Sequence, residues 1–365
     1  MFAKKNLVAA AALLALAGAA QADVKAYGTV DMSFGSFESL HAKGTDSRVT
    51  AVQSGAMMTS YIGFGGSEEL GGGLKAEFAL ESFIDVDTGK ASGNINGDFW
   101  SRASWVAVGG NFGRVIVGQY DNAFFTQGWM YSAFGSSMAF SPTMHFLYSD
   151  NYGNRDTGVY LATQGVTSIQ LGTGFDTGWQ NSLTYESPNF AGFTVSAQYA
   201  PKETTASGNA RDNYTLSAGY NAGPLSAMLT YAQSGDDNNY YLAKQKVWGV
   251  GASYDLGVVK LLGQFTQVKT TDGITATAGT SDLTLKAYEI GVVVPVSEAG
   301  AVLASYGEGK YTADAIDGSF KHKIFSLGYD HKLSKRTDVY AGFKNDAGTG
   351  ADSGQTFAVG IKHNF

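Results

Sequence analysis

Along most of the chain, apolar and polar residues alternate with a period of two. Phe193, Val195, Ala197 and Tyr199 fall opposite Thr194, Ser196 and Gln198, and Tyr214, Leu216, Ala218 and Tyr220 repeat the pattern against Asn213, Thr215 and Ser217. Leu225, Ala227, Leu229 and Tyr231 continue it, as do Trp248, Val250, Ala252 and Tyr254. The C-terminal stretch sets Phe357, Val359, Ile361 and Phe365 against Ala358, Gly360, Lys362 and Asn364. Strict alternation marks strands with two unlike faces. A soluble sandwich alternates too, so the period alone does not choose between a sandwich and a membrane barrel.

Three further features favour the barrel. Aromatic residues close the apolar faces at Tyr199, Tyr220, Tyr254, Tyr306 and Tyr329, where strand ends meet lipid headgroups. Tight turns such as Gly109–Gly113, Asn221–Pro224 and Lys332–Lys335 alternate with longer polar loops near 36–56, 201–212, 234–245 and 269–282. Short turns on one side and long loops on the other is the layout of outer-membrane barrels. Finally, the inner faces carry Lys75, Glu77, Glu81, Arg102, Lys260, Glu289 and Lys362. A packed soluble core would exclude these charges, whereas a water-filled lumen holds them without a desolvation penalty.

Counting strands gives the size. One set is expected near 24–34, 74–83, 114–120, 193–200, 225–233, 258–268, 301–307 and 337–345. The antiparallel set is expected near 57–66, 99–108, 181–186, 213–220, 246–254, 284–294, 322–331 and 356–365. Sixteen strands, an even number, leave an aqueous channel rather than a filled interior. The interval from Gly109 to Ser187 is about 40 residues longer than the others. It predicts one long loop, with Val159–Gln164 and Val166–Gly172 as an extra hairpin in an 18-stranded alternative.

Composition then sharpens the picture. The 365 residues include 48 Gly and no Cys, with 16% charged; average usage is about 7% Gly and 25% charged. Disulfides and Cys-based metal sites are excluded, and a formal charge of −7 argues against nucleic-acid binding. Lys4 and Lys5, the apolar run Leu7–Ala20 and the Ala20-Gln-Ala22 ending predict a cleaved signal peptide over residues 1–22. The barrel domain is then 23–365, and losing the two lysines takes the formal charge from −7 to −9. The apolar run is shorter than the ~20 residues that span a bilayer as a helix.

Several stretches together carry a family resemblance: Val24-Lys-Ala-Tyr-Gly-Thr-Val30, the run from Ile62 to Lys75, Gly110-Asn-Phe-Gly-Arg114, the run from Asn181 to Phe193, and Gly328 to Thr337. The chain resembles the general porins of Gram-negative bacteria, in their β-proteobacterial and neisserial branch. The resemblance implies a homotrimer of 16-stranded barrels in the outer membrane, each with its third external loop folded inward as an eyelet. It also implies that Phe365 is the signal read by the barrel-assembly machinery, and that lipopolysaccharide surrounds the barrel.

In such an eyelet, acidic loop residues face basic wall residues, and the field between them sets ion preference. Arg102, on one face with Ser104 and Val106, and Lys75, beside Glu77, match basic wall positions of the family. Tyr61, Gly65, Gln119 and Thr184 stand where the family usually places Arg or Lys. The basic ladder is thinned, so weak selectivity or a cation preference is expected. The lumen set is thus Tyr61, Lys75, Glu77, Glu81, Arg102, Gln119, Asp121 and Thr184. Phe124, Phe125, Trp129 and Tyr131 head an aromatic-rich interval, 121–180. These rings either pack the loop on the wall or offer faces to sugars and aromatic acids, which would make a substrate-selective channel. Asp236–Asn239 reads as a solvated loop tip or as a cation bridge to lipopolysaccharide.

A structural or adhesive barrel is the reading from another class. Catalysis has little support: none of the five histidines has metal-ligand spacing, and no nucleophile elbow is present. No cofactor, metal or nucleic acid is expected. The expectation is a passive channel for ions and small hydrophilic solutes.

Overall fold

The computed structural model describes residues 23–92, 98–148, 166–169, 178–202, 212–235, 244–276, 279–314 and 318–365. The expected signal segment 1–22, the expected hairpin arm 159–164 and the acidic run 236–239 lie outside them.

Sixteen strands form the wall, one for each expected position. The first half comprises β1 (Lys25–Phe37), β2 (Tyr61–Gly71), β3 (Leu74–Asp85), β4 (Ala103–Gly110), β5 (Gly113–Tyr120), β6 (Trp179–Glu186), β7 (Phe193–Ala200) and β8 (Asn213–Ala222). The second comprises β9 (Leu225–Ser234), β10 (Gln245–Asp255), β11 (Lys260–Ala276), β12 (Gly279–Pro295), β13 (Gly300–Thr312), β14 (Phe320–Lys332), β15 (Thr337–Gly348) and β16 (Gly354–Asn364). Neighbours pair antiparallel throughout, and β16 returns to β1 with Phe34 opposite Val359. Among the described residues, closure leaves the sixteen-stranded wall no free edge, the condition for backbone to sit in lipid.

The faces are inverted relative to a soluble protein. Val106, Val117, Val195, Leu216, Leu229 and Ile290 point outward and are more than half exposed, whereas Thr215, Thr230, Glu289 and Ser326 on the inner face are buried. Outward aromatics run around the wall from strand to strand. Tyr214 and Tyr231 lie 6.1 Å apart, Trp248 and Phe265 5.1 Å, and Tyr288 and Tyr306 6.3 Å, a girdle at interface height.

The wall closes at sixteen, so the 18-stranded alternative is not realised. Val166–Ile169 instead pairs with the far end of β11, against Ile274, Thr275 and Ala276. At 17 residues each, β11 and β12 outrun the roughly 9–11 a tilted strand needs to span. Their surplus projects on the long-loop side.

A second departure is a break in the strand after β1. Residues Val49–Ser54 pair with Phe37–Met32 of β1, and β2 takes over lower down, with Tyr61 opposite Thr29. Between them the chain leaves the wall and folds inward over residues 55–60. The region expected as one strand near 57–66 is therefore an inward lip followed by a strand.

Candidate pore constriction

The lip is held by one side chain. Asp31 Oδ2 accepts the backbone N–H groups of Met57 and Met58 at 2.7 and 2.6 Å. Its Oδ1 accepts the Tyr340 hydroxyl at 2.6 Å, its backbone N–H donates to Ser60 Oγ at 2.9 Å, and its carbonyl accepts from Gly55 at 2.9 Å. A buried carboxylate needs that many donors to offset its desolvation.

The long third loop enters from the opposite side. Asn122 caps helix α1 (Ala123–Met130), its Oδ1 accepting the Phe125 N–H at 2.9 Å, and α2 (Pro142–Tyr148) follows. Phe124, Tyr131, Phe134, Phe140, Phe146 and Tyr148 are buried. Several press on wall glycines. A Cβ on Gly342 would lie 2.6 Å from the Phe140 ring, one on Gly328 2.8 Å from Phe134, and one on Gly251 would overlap Tyr131. The absence of side chains there makes sockets for the loop rings.

Glu289 anchors the same loop. It is fully buried and accepts from Ser132 Oγ at 2.7 Å, Ser305 Oγ at 2.9 Å and the Thr143 N–H at 3.1 Å. This corrects the expectation that inner-face charges sit in water: over β10–β15 the lumen is filled by the loop. Glu81 is likewise 7% exposed, bound by Arg102 and by the Tyr27 hydroxyl at 2.6 Å.

Loop and lip touch. Ser137 Oγ donates to the Ala56 carbonyl at 2.7 Å, and Ser136 Oγ lies 2.9 Å from Met58 Sδ. Beside this contact is a cavity of about 940 Å³. Among the described residues, its charged lining is Asp85, Asp121, Asp330, Arg102 and Lys362. Both bases are ion-paired, Arg102 to Glu81 and Lys362 to Asp338 at 3.2 Å.

Arg102, Asp121, Phe125 and Trp129 all line this cavity. Arg102 reaches it for another reason than strand phase. Val106 faces outward at 55% exposure, so alternation would turn Arg102 outward too. Residue 102 instead precedes β4 at a bend, its N–H donating to the Glu81 carbonyl at 3.1 Å. Its guanidinium stacks 4.3 Å above the Tyr61 ring. Lys75 and Glu77 pair at 3.2 Å at the short-turn end and do not line the cavity. Gln119 donates to the Ser101 carbonyl at 2.9 Å, and Thr184 is buried; neither lines the cavity. Of the four loop aromatics, Phe124 and Tyr131 are packed away, Phe125 is buried at the cavity edge, and Trp129 stays 39% exposed.

Sequence reasoning missed Asp31, the Met57–Met58 lip, Asp85 and Asp330. It also missed Arg114, which bonds Glu186 at 3.0 Å and lies 5.4 Å from the Trp105 ring. Nor did spacing reveal that His145, His322 and Asp346 bring donor atoms within 4.8 Å of one another. Lys344 lies 3.4 Å from the Asp346 carboxylate, so an ammonium already supplies the positive charge there. His145 lies on α2. Burial, with the Lys344 ammonium, outweighs the Asp346 carboxylate and lowers its pKa from 6.5 to about 4.

A closed sixteen-stranded barrel with an outward apolar face, an aromatic girdle and a loop-narrowed lumen defines the class: a transmembrane diffusion channel. The chain matches the Gram-negative porin family over residues 9–351 and belongs to it. It is 35% identical to outer membrane porin protein 32 of Delftia acidovorans, over 99% of this chain and all of that one. It is 27% identical to the major outer membrane protein P.IB of Neisseria lactamica, with the same coverage. Among solved structures, an anion-selective porin from Comamonas acidovorans superposes with a TM-score of 0.74 at 27% identity, covering 94% of this chain and all of that one. The protein is thus an outer-membrane porin for passive diffusion, a channel and not an enzyme.

Proposed function

We propose that the pore conducts small ions with a weak preference for cations. The observation that carries this is the charge of the cavity lining: among the described residues, three carboxylates stand against two bases, each base already bound to a further carboxylate. In a narrow low-dielectric aperture, that excess raises the local concentration of cations. The Comamonas porin is named anion-selective, so the two channels would differ in sign. In a planar bilayer under a KCl gradient, a reversal potential of cationic sign is expected; a clearly anionic one overturns the proposal.

A homotrimer is proposed on the family's pattern, with three equal conductance steps per insertion as its signature. Steady conductance also separates this reading from an adhesive or structural barrel, which would pass negligible current. Removal of residues 1–22 would be read as an N-terminus at Asp23 by mass spectrometry of the membrane-extracted protein. Phe365, whose N–H donates to the Gly28 carbonyl at 3.1 Å, is proposed as the assembly signal. Its replacement should lower barrel yield. Lipopolysaccharide is the proposed lipid neighbour.

A further inference from the structure

We propose that the space between lip and loop is a binding subsite for amphipathic organic cations, aromatic ammonium compounds above all. The proposal rests on the cation-weighted lining described above and adds a ligand class to it. Trp129 supplies the first observation. Neighbouring loop rings are used for packing, with Phe124 and Phe140 at 0% exposure and Tyr131 at 1%, yet the Trp129 indole is 39% exposed and lines the cavity. An indole face is the best of the aromatic faces for holding a cation.

The second observation is the lip. Asp31 spends its carboxylate and its backbone on holding residues 55–60 inside the lumen, and the lip brings Met57 and Met58 to the cavity beside Gly55 and Thr59. Thioethers are polarisable and favour contact with aromatic rings. Phe83 and Ile84 of the wall extend that apolar lining.

The third observation is that Asp85 and Asp121 share this cavity with Arg102 and Lys362, whose charges are taken up by Glu81 and Asp338. A hydrated potassium or chloride ion gains nothing from methionine and tryptophan surfaces. A solute with an apolar body and a cationic head gains from both the surfaces and the carboxylates. At about 940 Å³ the cavity falls in the ordinary range for small-molecule sites, which are mostly apolar with a few placed polar groups.

The test is current blockade of the intact trimer in a planar bilayer in symmetric KCl. The probes are benzyltrimethylammonium, tetramethylammonium and benzenesulfonate, with the reversal potential recorded on the same membranes. The aromatic cation is expected to block at concentrations about fivefold to tenfold lower than either other probe. Trp129→Ala should weaken its block by about fivefold and Trp129→Phe should largely restore it, while Met58→Ser gives a smaller loss. Equal block by all three probes overturns the subsite, and so does a block constant unmoved by Trp129→Ala. An anionic reversal potential with Trp129-dependent block by the aromatic cation keeps the subsite and removes the ion preference. A cationic reversal potential without discrimination among the probes removes the subsite alone.

Discussion

The two halves of the barrel interior are built on opposite plans. Along β10–β15 the wall is stripped to glycine at Gly251, Gly328 and Gly342, and loop rings fill the space. One carboxylate, Glu289, locks the loop by hydrogen bonds from Ser132, Ser305 and Thr143. Along β1–β3 the interior stays open as a cavity lined by Asp85, with Asp31 bound by backbone donors and Glu81 by Arg102. The contrast shows that the pore is narrowed from both sides by unlike means. The loop is seated by shape, and the lip is held by charge.

The largest effect should come from Glu289. Glu289→Ala strips four donors, from Ser132, Thr143, Ser305 and Gln264, of their acceptor inside the barrel, at a cost of about 3 kcal/mol or more. Single-channel records should then show a larger, noisier conductance, with Glu289→Gln in between.

Acid should loosen the same half through His145. Its folded pKa of about 4 lies below the ordinary 6.5, so the released loop binds the proton more readily than the seated one. Stability of the seat is complete above about pH 6.5 and is lost as pH falls toward 4, by about 3 kcal/mol at most, with no further loss below that. Channel noise or protease sensitivity of the loop should rise over that window, and His145→Gln should flatten the response.

Filling a socket tests the shape argument. Gly342→Val places methyl groups where the Phe140 ring lies, at about 1–3 kcal/mol, read as a lower melting temperature of the folded barrel. The same change at an outward position such as Ala341 should be nearly silent. Smallest is Arg102→Gln. It frees Glu81 from its ion pair and should shift the reversal potential slightly further toward cations.

Alternation made every wall strand legible, because lipid outside and polar side chains inside impose a period of two. The long interval marked the loop, and its aromatic richness marked its packing. What stayed hidden depends on closure. Asp31 meets Met57 and Tyr340 only when β15 and the lip come to the same place, and His145 meets His322 and Asp346 only when the loop docks. The phase of Arg102 was misread because a bend resets the period at the start of β4. Nothing in a run of glycines tells a socket from a turn, although 48 of them called for some such use.

If loop and lip close one ring around the aperture, cross-linking them should leave the open channel intact. The chain has no Cys, so Met58→Cys with Ser136→Cys, at the observed lip–loop contact, introduces a single clean pair. The decisive measurement is the conductance of this double variant before and after oxidation. Ready disulfide formation with conductance nearly unchanged is the expected result. Failure to cross-link, or a channel silenced by oxidation and restored by reductant, would mean that the conducting loop sits elsewhere.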